Sequence, residues 1–183
     1  MEKTILIHLA FGFEETEAVT IIDVLRRAGF NVTIVSVTGF RKVTGAHHIS
    51  VEADQLFEDV DYDHADMIIL PGGMPGTTNL QNHPGLKEKL LQFQEENKTI
   101  AAICAAPMIL GSLGFLQGKK AVCYPGFESD LTGATVLQSP FVVDGNIITG
   151  RGVGTALEFS LEIVRMFKGN QLAQELRSAL VIP

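Results

Sequence analysis

No stretch of this sequence is basic enough, apolar enough or cysteine-rich enough for a nucleic-acid binder, a membrane protein or a disulfide scaffold. Its 14 lysines and arginines are outnumbered by 21 acidic residues, for a formal charge of −7. A chain of that sign without a basic cluster repels phosphate backbones and anionic lipid, so neither nucleic acid nor a membrane is an expected partner. No apolar run approaches the roughly 20 residues that cross a bilayer. Met1-Glu2-Lys3-Thr4 leads straight into Ile5-Leu6-Ile7, without a basic region, a long apolar stretch and a small-residue cleavage site. No secretory signal is therefore expected, and the expected location is the cytoplasm. Asn31-Val32-Thr33 and Asn97-Lys98-Thr99 match the glycosylation pattern, but carry no weight without secretion. The two cysteines, Cys104 and Cys123, are expected as free thiols in a reducing compartment.

What is there is a pattern of alternating elements. With 183 residues, 46% hydrophobic and 19% charged, the chain suits one domain over 1–183 around one core. Residues 4–10, 31–37, 67–70, 99–103 and 146–149 are compact, Ile/Val-rich runs that suit strands buried on both faces. Between them, residues 15–28 place Ala18, Ile21, Ile22 and Leu25 at helical spacing before Gly29. Residues 84–96 open with proline and repeat Leu86, Leu90 and Phe93 on one face, and 107–113 again start with proline and stop at Gly114. The last helices are expected over 155–167 and 171–180. This order argues for an α/β sandwich, a mostly parallel sheet with helices on both faces. Residues 43–51 and 120–138 read as short strands and loops, with a hairpin edge among the options.

Sites in such sheets form beyond the carboxyl ends of the strands. Ala102-Ile103-Cys104-Ala105-Ala106-Pro107 is a buried strand running into a cysteine, small residues and a helix. That is the strand–nucleophile–helix elbow, in which a helix N-terminus is expected to lower the thiol pKa. A small buried hydrophobe is the competing reading for Cys104; Cys123, with no helix after it, reads as structural. Gly72-Gly73 can offer backbone N–H groups to an oxyanion, or simply make a tight turn. Glu14 and Glu15 read as complements to a helix dipole. Glu17, beside Ala18 and four residues before Ile21, is expected to point towards the sheet and to be protonated more readily than a surface glutamate. A dipole-complementing surface residue is the competing reading for it. The cluster Gly150-Arg151-Gly152-Val153-Gly154 lacks the last element of a dinucleotide fingerprint, and Gly114 to Lys120 is no phosphate loop. His8, His47, His48, His64 and His83 show no paired spacing, so no metal is expected, and His8 within a strand reads as a core histidine.

Five segments in order resemble the ThiJ/PfpI superfamily, in the branch of the Parkinsonism-associated deglycase: Gly12-Phe13-Glu14-Glu15-Thr16-Glu17, Asp23-Val24-Leu25-Arg26-Arg27-Ala28-Gly29, Leu70-Pro71-Gly72-Gly73, the Cys104 segment, and Gly150-Arg151-Gly152-Val153-Gly154-Thr155. The resemblance implies a flavodoxin-like sandwich, a homodimer contacting through residues 15–28, and Cys104 as an oxidation-sensitive nucleophile. It implies Glu17 as the carboxyl partner of the thiol and the Gly73 and Ala105 amides as oxyanion donors, with Gly72 beside them. Arg27, His47 and Tyr124 stand as accessory candidates. It further implies cofactor-free glyoxalase or deglycase activity on methylglyoxal-type dicarbonyls or their adducts. The chain has Ala105 where the peptidase branch has a histidine after the nucleophile, so peptidase activity is not expected. Tyr124 stands where the deglycase branch often has a histidine, and His47 where an arginine often helps form a small-anion pocket. An unperturbed tyrosine, with a pKa of about 10, is a poor base at neutral pH. A redox sensor or holdase chaperone with an oxidisable Cys104 and no turnover is the alternative.

Overall fold

Alternation along each apolar run settles how the sheet is sandwiched. The computed structural model describes residues 3–182. The chain runs β1 (Thr4–Leu9), α1 (Glu15–Arg27), β2 (Asn31–Ser36), β3 (Lys42–Thr44), β4 (Ser50–Glu52), β5 (Gln55–Leu56) and β6 (Met67–Leu70). It continues through α2 (Gly76–Gln81), α3 (Pro84–Glu95), β7 (Thr99–Ile103), α4 (Pro107–Ser112), β8 (Lys120–Ala121) and β9 (Thr135–Val136). It ends with β10 (Phe141–Asp144), β11 (Ile147–Gly150), α5 (Ala156–Lys168) and α6 (Asn170–Ala179). Seven strands form one sheet in the order β10-β11-β7-β6-β1-β2-β5. Each neighbouring pair in it is parallel except β10–β11.

Successive strand residues point to opposite faces. Ile5, Ile7 and Leu9, with Met67, Ile69, Ala101 and Ile103, pack against Ile21 and Leu25 of α1 and Phe159 and Ile163 of α5. Leu6, Ile68, Leu70, Ile100 and Ala102 pack the other way, against Leu86, Leu90 and Phe93 of α3 and Ile109 and Leu110 of α4. The result is the flavodoxin-like three-layer sandwich with helices on both faces. Because order runs outward from β1 in both directions, β1 and β6 flank a switch point, and the crevice beyond their carboxyl ends is where such folds bind ligands.

The expected strands and helices are present to within a residue or two. Helix α2 and edge strand β10 were not anticipated: α2 has six residues and one buried leucine, Leu80, too few for a periodic signal. Strand β10 turns back through Gly145, whose φ of 64° the turn requires. Residues 43–51 do hold a hairpin, β3–β4, whereas β8 and β9 within 120–138 pair parallel and make none.

Phe159 ties this packing to the crevice. It is fully buried, and a Cβ on Gly150, the last residue of β11, would lie 2.8 Å from its ring and 2.8 Å from Ile103. Phe159→Ala is expected to cost about 3–5 kcal/mol and lower the urea midpoint accordingly. An unchanged midpoint would show that α5 does not support the ends of β7 and β11.

Candidate active site

Four adjacent strands, β1, β6, β7 and β11, deliver their carboxyl ends to one crevice. Cys104 follows β7 with φ of 65°, a left-handed conformation that a non-glycine residue holds only when its surroundings fix it. The surroundings do so from both sides: Cys104 N–H donates to Gly150 O at 3.0 Å, and Tyr124 N–H donates to Cys104 O at 2.8 Å. Ala106 N–H then turns back to Ile103 O at 3.0 Å, and Pro107 opens α4. The side chain of Cys104 is thus lifted out of the sheet plane, half-buried, in front of the loop after β6.

Glu17 reaches the same point from α1. It is 0% exposed, and its Oε2 accepts from Gly72 N–H at 2.8 Å. Its Oε1 is buried without a partner among the described residues, which leaves it the oxygen to carry a proton. Burial pushes the Glu17 carboxyl up to about 7, against the opposing pull of the Gly72 amide and of Cys104. The Cys104 thiol is also pushed up, to about 12, by burial first and then by the neighbouring Glu17 charge, while the Ala105 and Gly73 amides pull it down. This corrects the expectation of a thiol acidified by a helix N-terminus. Helix α4 has only six residues, and desolvation together with the Glu17 carboxylate sets the direction of the shift. The two groups form a coupled pair whose first proton leaves at about 7.

The other expected residues divide. The Gly73 and Ala105 amides do lie at the sulfur. Gly72 contributes differently from a free donor: its N–H is spent on Glu17, and a Cβ there would sit 2.5 Å from Cys104 Cβ and 2.9 Å from Glu17 Oε2. Tyr124 packs at the mouth, its side chain beside Gly152. Arg27 is ten residues along α1 from Glu17, about 15 Å at 1.5 Å per residue, and donates to Asp23 Oδ2 at 2.6 Å on the exposed surface. Its accessory role at the sulfur is not supported.

His47 is likewise drawn elsewhere, to Glu15. Its Nδ1 lies 2.8 Å from Glu15 Oε2, and its backbone N–H donates to Glu15 Oε1 at 2.7 Å. Glu15 is buried rather than a surface dipole complement; burial pushes its carboxyl up, but hydrogen bonds from His47 and from the Ile49 amide hold it below its ordinary value. Glu14, Glu15 and His47 bring one ligand atom each within 4.8 Å and could hold a cation, a grouping invisible in sequence because Glu15 and His47 are 32 positions apart. Cys123 is buried, and its thiol is pushed up to about 11 by desolvation and Glu128. His8 is a core residue, 2.8 Å from Tyr62 Oη and held by burial down to about 3.

A cysteine on a strand-to-helix elbow, opposed by a buried carboxyl across the switch point of a flavodoxin-like sheet, places the chain among the elbow-bearing α/β sandwiches. The chain belongs to the DJ-1/PfpI family, whose model matches residues 3–166. It is 42% identical over 98% of its length to DJ-1 homolog A of Arabidopsis thaliana, of which it covers 47%. The chain thus spans about half the length of that plant relative. A protein named a deglycase in Pyrococcus abyssi is 33% identical, with 90% of this chain and 99% of that one covered. The crystal structure of Drosophila melanogaster DJ-1beta superposes with a TM-score of 0.95 over 100% of both chains, at 34% identity.

The coupled pair has a kinetic signature. Cys104 alkylation by iodoacetamide should rise with pH through an inflection near 7, as Glu17 becomes able to accept the thiol proton, while Cys123 lags. In Glu17→Leu the buried thiol has no acceptor, so the inflection should move up by at least about one unit, with labelling at pH 7 about tenfold slower. Glu14→Leu removes only a like charge that helps raise Glu17, so it should lower the inflection slightly rather than raise it. Identical profiles for Glu17→Leu and the unaltered protein would remove Glu17 from this role.

Proposed function

We propose that this protein is a Cys104-dependent, cofactor-free glyoxalase or deglycase-like enzyme acting on methylglyoxal-type dicarbonyls or their adducts. The observation that carries the reading is the single-proton pair of Glu17 and Cys104 beneath two amides. Glu17 carboxylate takes the thiol proton, and the thiolate sulfur attacks the aldehyde carbon. The carbonyl π electrons move to oxygen, which the Gly73 and Ala105 amides receive and which takes the proton back from Glu17. Glu17, again ionised, removes the hydrogen on that carbon as a proton and returns it to the adjacent one, while the proton on the first oxygen passes to the oxygen of the adjacent carbon. The first carbon is thereby oxidised to a thioester and the second reduced to an alcohol. Water cleaves the thioester, releasing a 2-hydroxy acid and the thiol. The oxidation and reduction are internal to the substrate, so the balance needs no metal or redox cofactor.

The proton-bearing Glu17 also favours a second reading, a redox sensor or holdase in which Glu17 donates to an oxidised Cys104. Lactate formation from methylglyoxal by chelator-treated protein separates the two. Turnover lost in Cys104→Ser and reduced about 10²-fold or more in Glu17→Gln supports the enzyme. No lactate above the Cys104→Ser background, with Cys104 sulfinate forming under peroxide, replaces it with the sensor.

A cytoplasmic location and a homodimer contacting through α1 belong to the same proposal. Exposed Val19 on α1 offers apolar surface for that contact. Light scattering at micromolar concentration should give twice the chain mass, and a monomer would remove the dimer.

A further inference from the structure

The glycine cluster at residues 150–154 lacks the last element of a dinucleotide fingerprint, yet most of it forms a wall of the crevice. Tyr124, Pro125, Arg151, Gly152, Val153, Gly154 and Thr155 line an open groove of about 320 Å³. Gly152 joins this groove to the nucleophile: a Cβ there would lie 3.2 Å from the Tyr124 ring and 3.9 Å from Cys104 Sγ. A three-carbon dicarbonyl has five heavy atoms and would leave most of such a volume empty, since ligand sites of about 300–1,000 Å³ hold far larger molecules.

The polar character of the groove is unevenly spent. Thr155 Oγ1 is committed to the Gly152 backbone, accepting from its N–H at 3.2 Å and donating to its O at 2.9 Å. The Tyr124 hydroxyl has no hydrogen-bond partner among the described residues, and the side chain is 49% exposed. Arg151 is the only cation in the lining. Its Nη2 donates to the neutral amide oxygen of Gln138 at 3.3 Å, and it makes no ion pair with a carboxylate among the described residues. Of the nearby acids, Glu128 turns its Oε2 to the Gly126 amide at 2.7 Å. In a chain of net charge −7, long-range attraction cannot bring an anion here, so a local preference for one must come from this guanidinium.

We propose that this groove is an anion subsite, and that Arg151 selects reactive carbonyl compounds carrying a carboxylate at the end remote from the aldehyde. The inference rests on the reading of Cys104 as the substrate-binding nucleophile and deepens it from small neutral dicarbonyls to anion-tailed ones. Arg151 offers paired N–H groups to the carboxylate, Val153 and Pro125 cover an apolar spacer, and the Tyr124 hydroxyl supplies a further donor. Arg151 acts on the remote end of the substrate and is a specificity residue rather than a participant in proton transfer.

The test separates this subsite from turnover by reading Cys104 alkylation alone. 4-(Bromomethyl)benzoate and 4-(bromomethyl)benzamide have the same shape and reaction: the thiolate sulfur bonds the benzylic carbon and bromide leaves with the C–Br electrons. Rates at the Cys104 peptide are measured by mass spectrometry and normalised to free cysteine. The benzoate should react about tenfold faster than the amide in the unaltered protein, with the preference lost in Arg151→Met and partly kept in Arg151→Lys. Arg27→Met, a control on a distant surface arginine, should retain it. Equal normalised rates in the unaltered protein, or a preference that survives Arg151→Met, overturns the subsite. In a second arm, 4-carboxyphenylglyoxal should be converted to its hydroxy acid with a lower KM than phenylglyoxal, and Arg151→Met should raise that KM while leaving kcat within about twofold. Preserved alkylation preference without turnover of either glyoxal overturns the enzymatic reading and keeps the subsite; turnover without preference does the reverse.

Discussion

Steric crowding around Gly72 is the constraint on which the rest of the crevice depends. Three separately built segments meet there: the loop after β6, the elbow after β7 and the first turns of α1. They meet so closely that a single Cβ on Gly72 would strike both Cys104 and Glu17. A side chain at Gly73 or Gly76 would strike the backbone of Gly12 and Phe13. Close approach of this kind requires glycine, and it converts sheet register into chemical geometry. Ile69 pairs with Ala101, and Gly150 with Ile103, so the strand ends are level and the segments leaving them are forced together.

Burial at this junction then fixes the electrostatics. Charge on either Glu17 or Cys104 is disfavoured by desolvation, and charge on both is disfavoured again by repulsion. The pair therefore passes from two protons to one near pH 7 and keeps that last proton well above neutrality. A thiol with so high a pKa would ordinarily be inert. Here the proton need travel only to an adjacent carboxylate, and the Gly73 and Ala105 amides stabilise the sulfur once it is ionised. In the proposed reaction, reactivity comes from proton transfer within the pair rather than from an acidic thiol.

Much of this was legible in the sequence because periodicity reports packing directly. The runs around Ile5, Ile69 and Ile103 are buried on both faces, and Ile21 and Leu25 mark the inner stripe of α1. Glu17 could be placed beside that stripe, and Cys104 at the end of its strand, from local spacing alone. What escaped notice depends on tertiary contacts. Glu15 looks like any acidic residue in a first helical turn until the β3–β4 hairpin lays His47 and Ile49 over it. Arg27 lies in a segment that carries the family resemblance, yet the helix length places it far from the sulfur, paired with Asp23. The direction of the thiol pKa is not legible either, because a sequence displays helix position and not desolvation.

The histidine absent from position 124 sharpens what the remaining groups must do. His8 is sealed in β1 with its proton affinity suppressed, and His47 is tied to Glu15. Of the other histidines, His64 is held by Asp61 on the surface, and His83 caps α3 through the Leu86 amide. No imidazole among the described residues contacts Cys104, and Tyr124 is itself fixed by the elbow, since its N–H binds the Cys104 carbonyl. In the proposed reaction one carboxyl must therefore accept the thiol proton, remove the carbon-bound hydrogen and deliver it to the adjacent carbon. A single base can do this only if it protonates and deprotonates with comparable ease near neutrality. Burial of Glu17 to about 7 meets that requirement, and an ordinary surface glutamate would not.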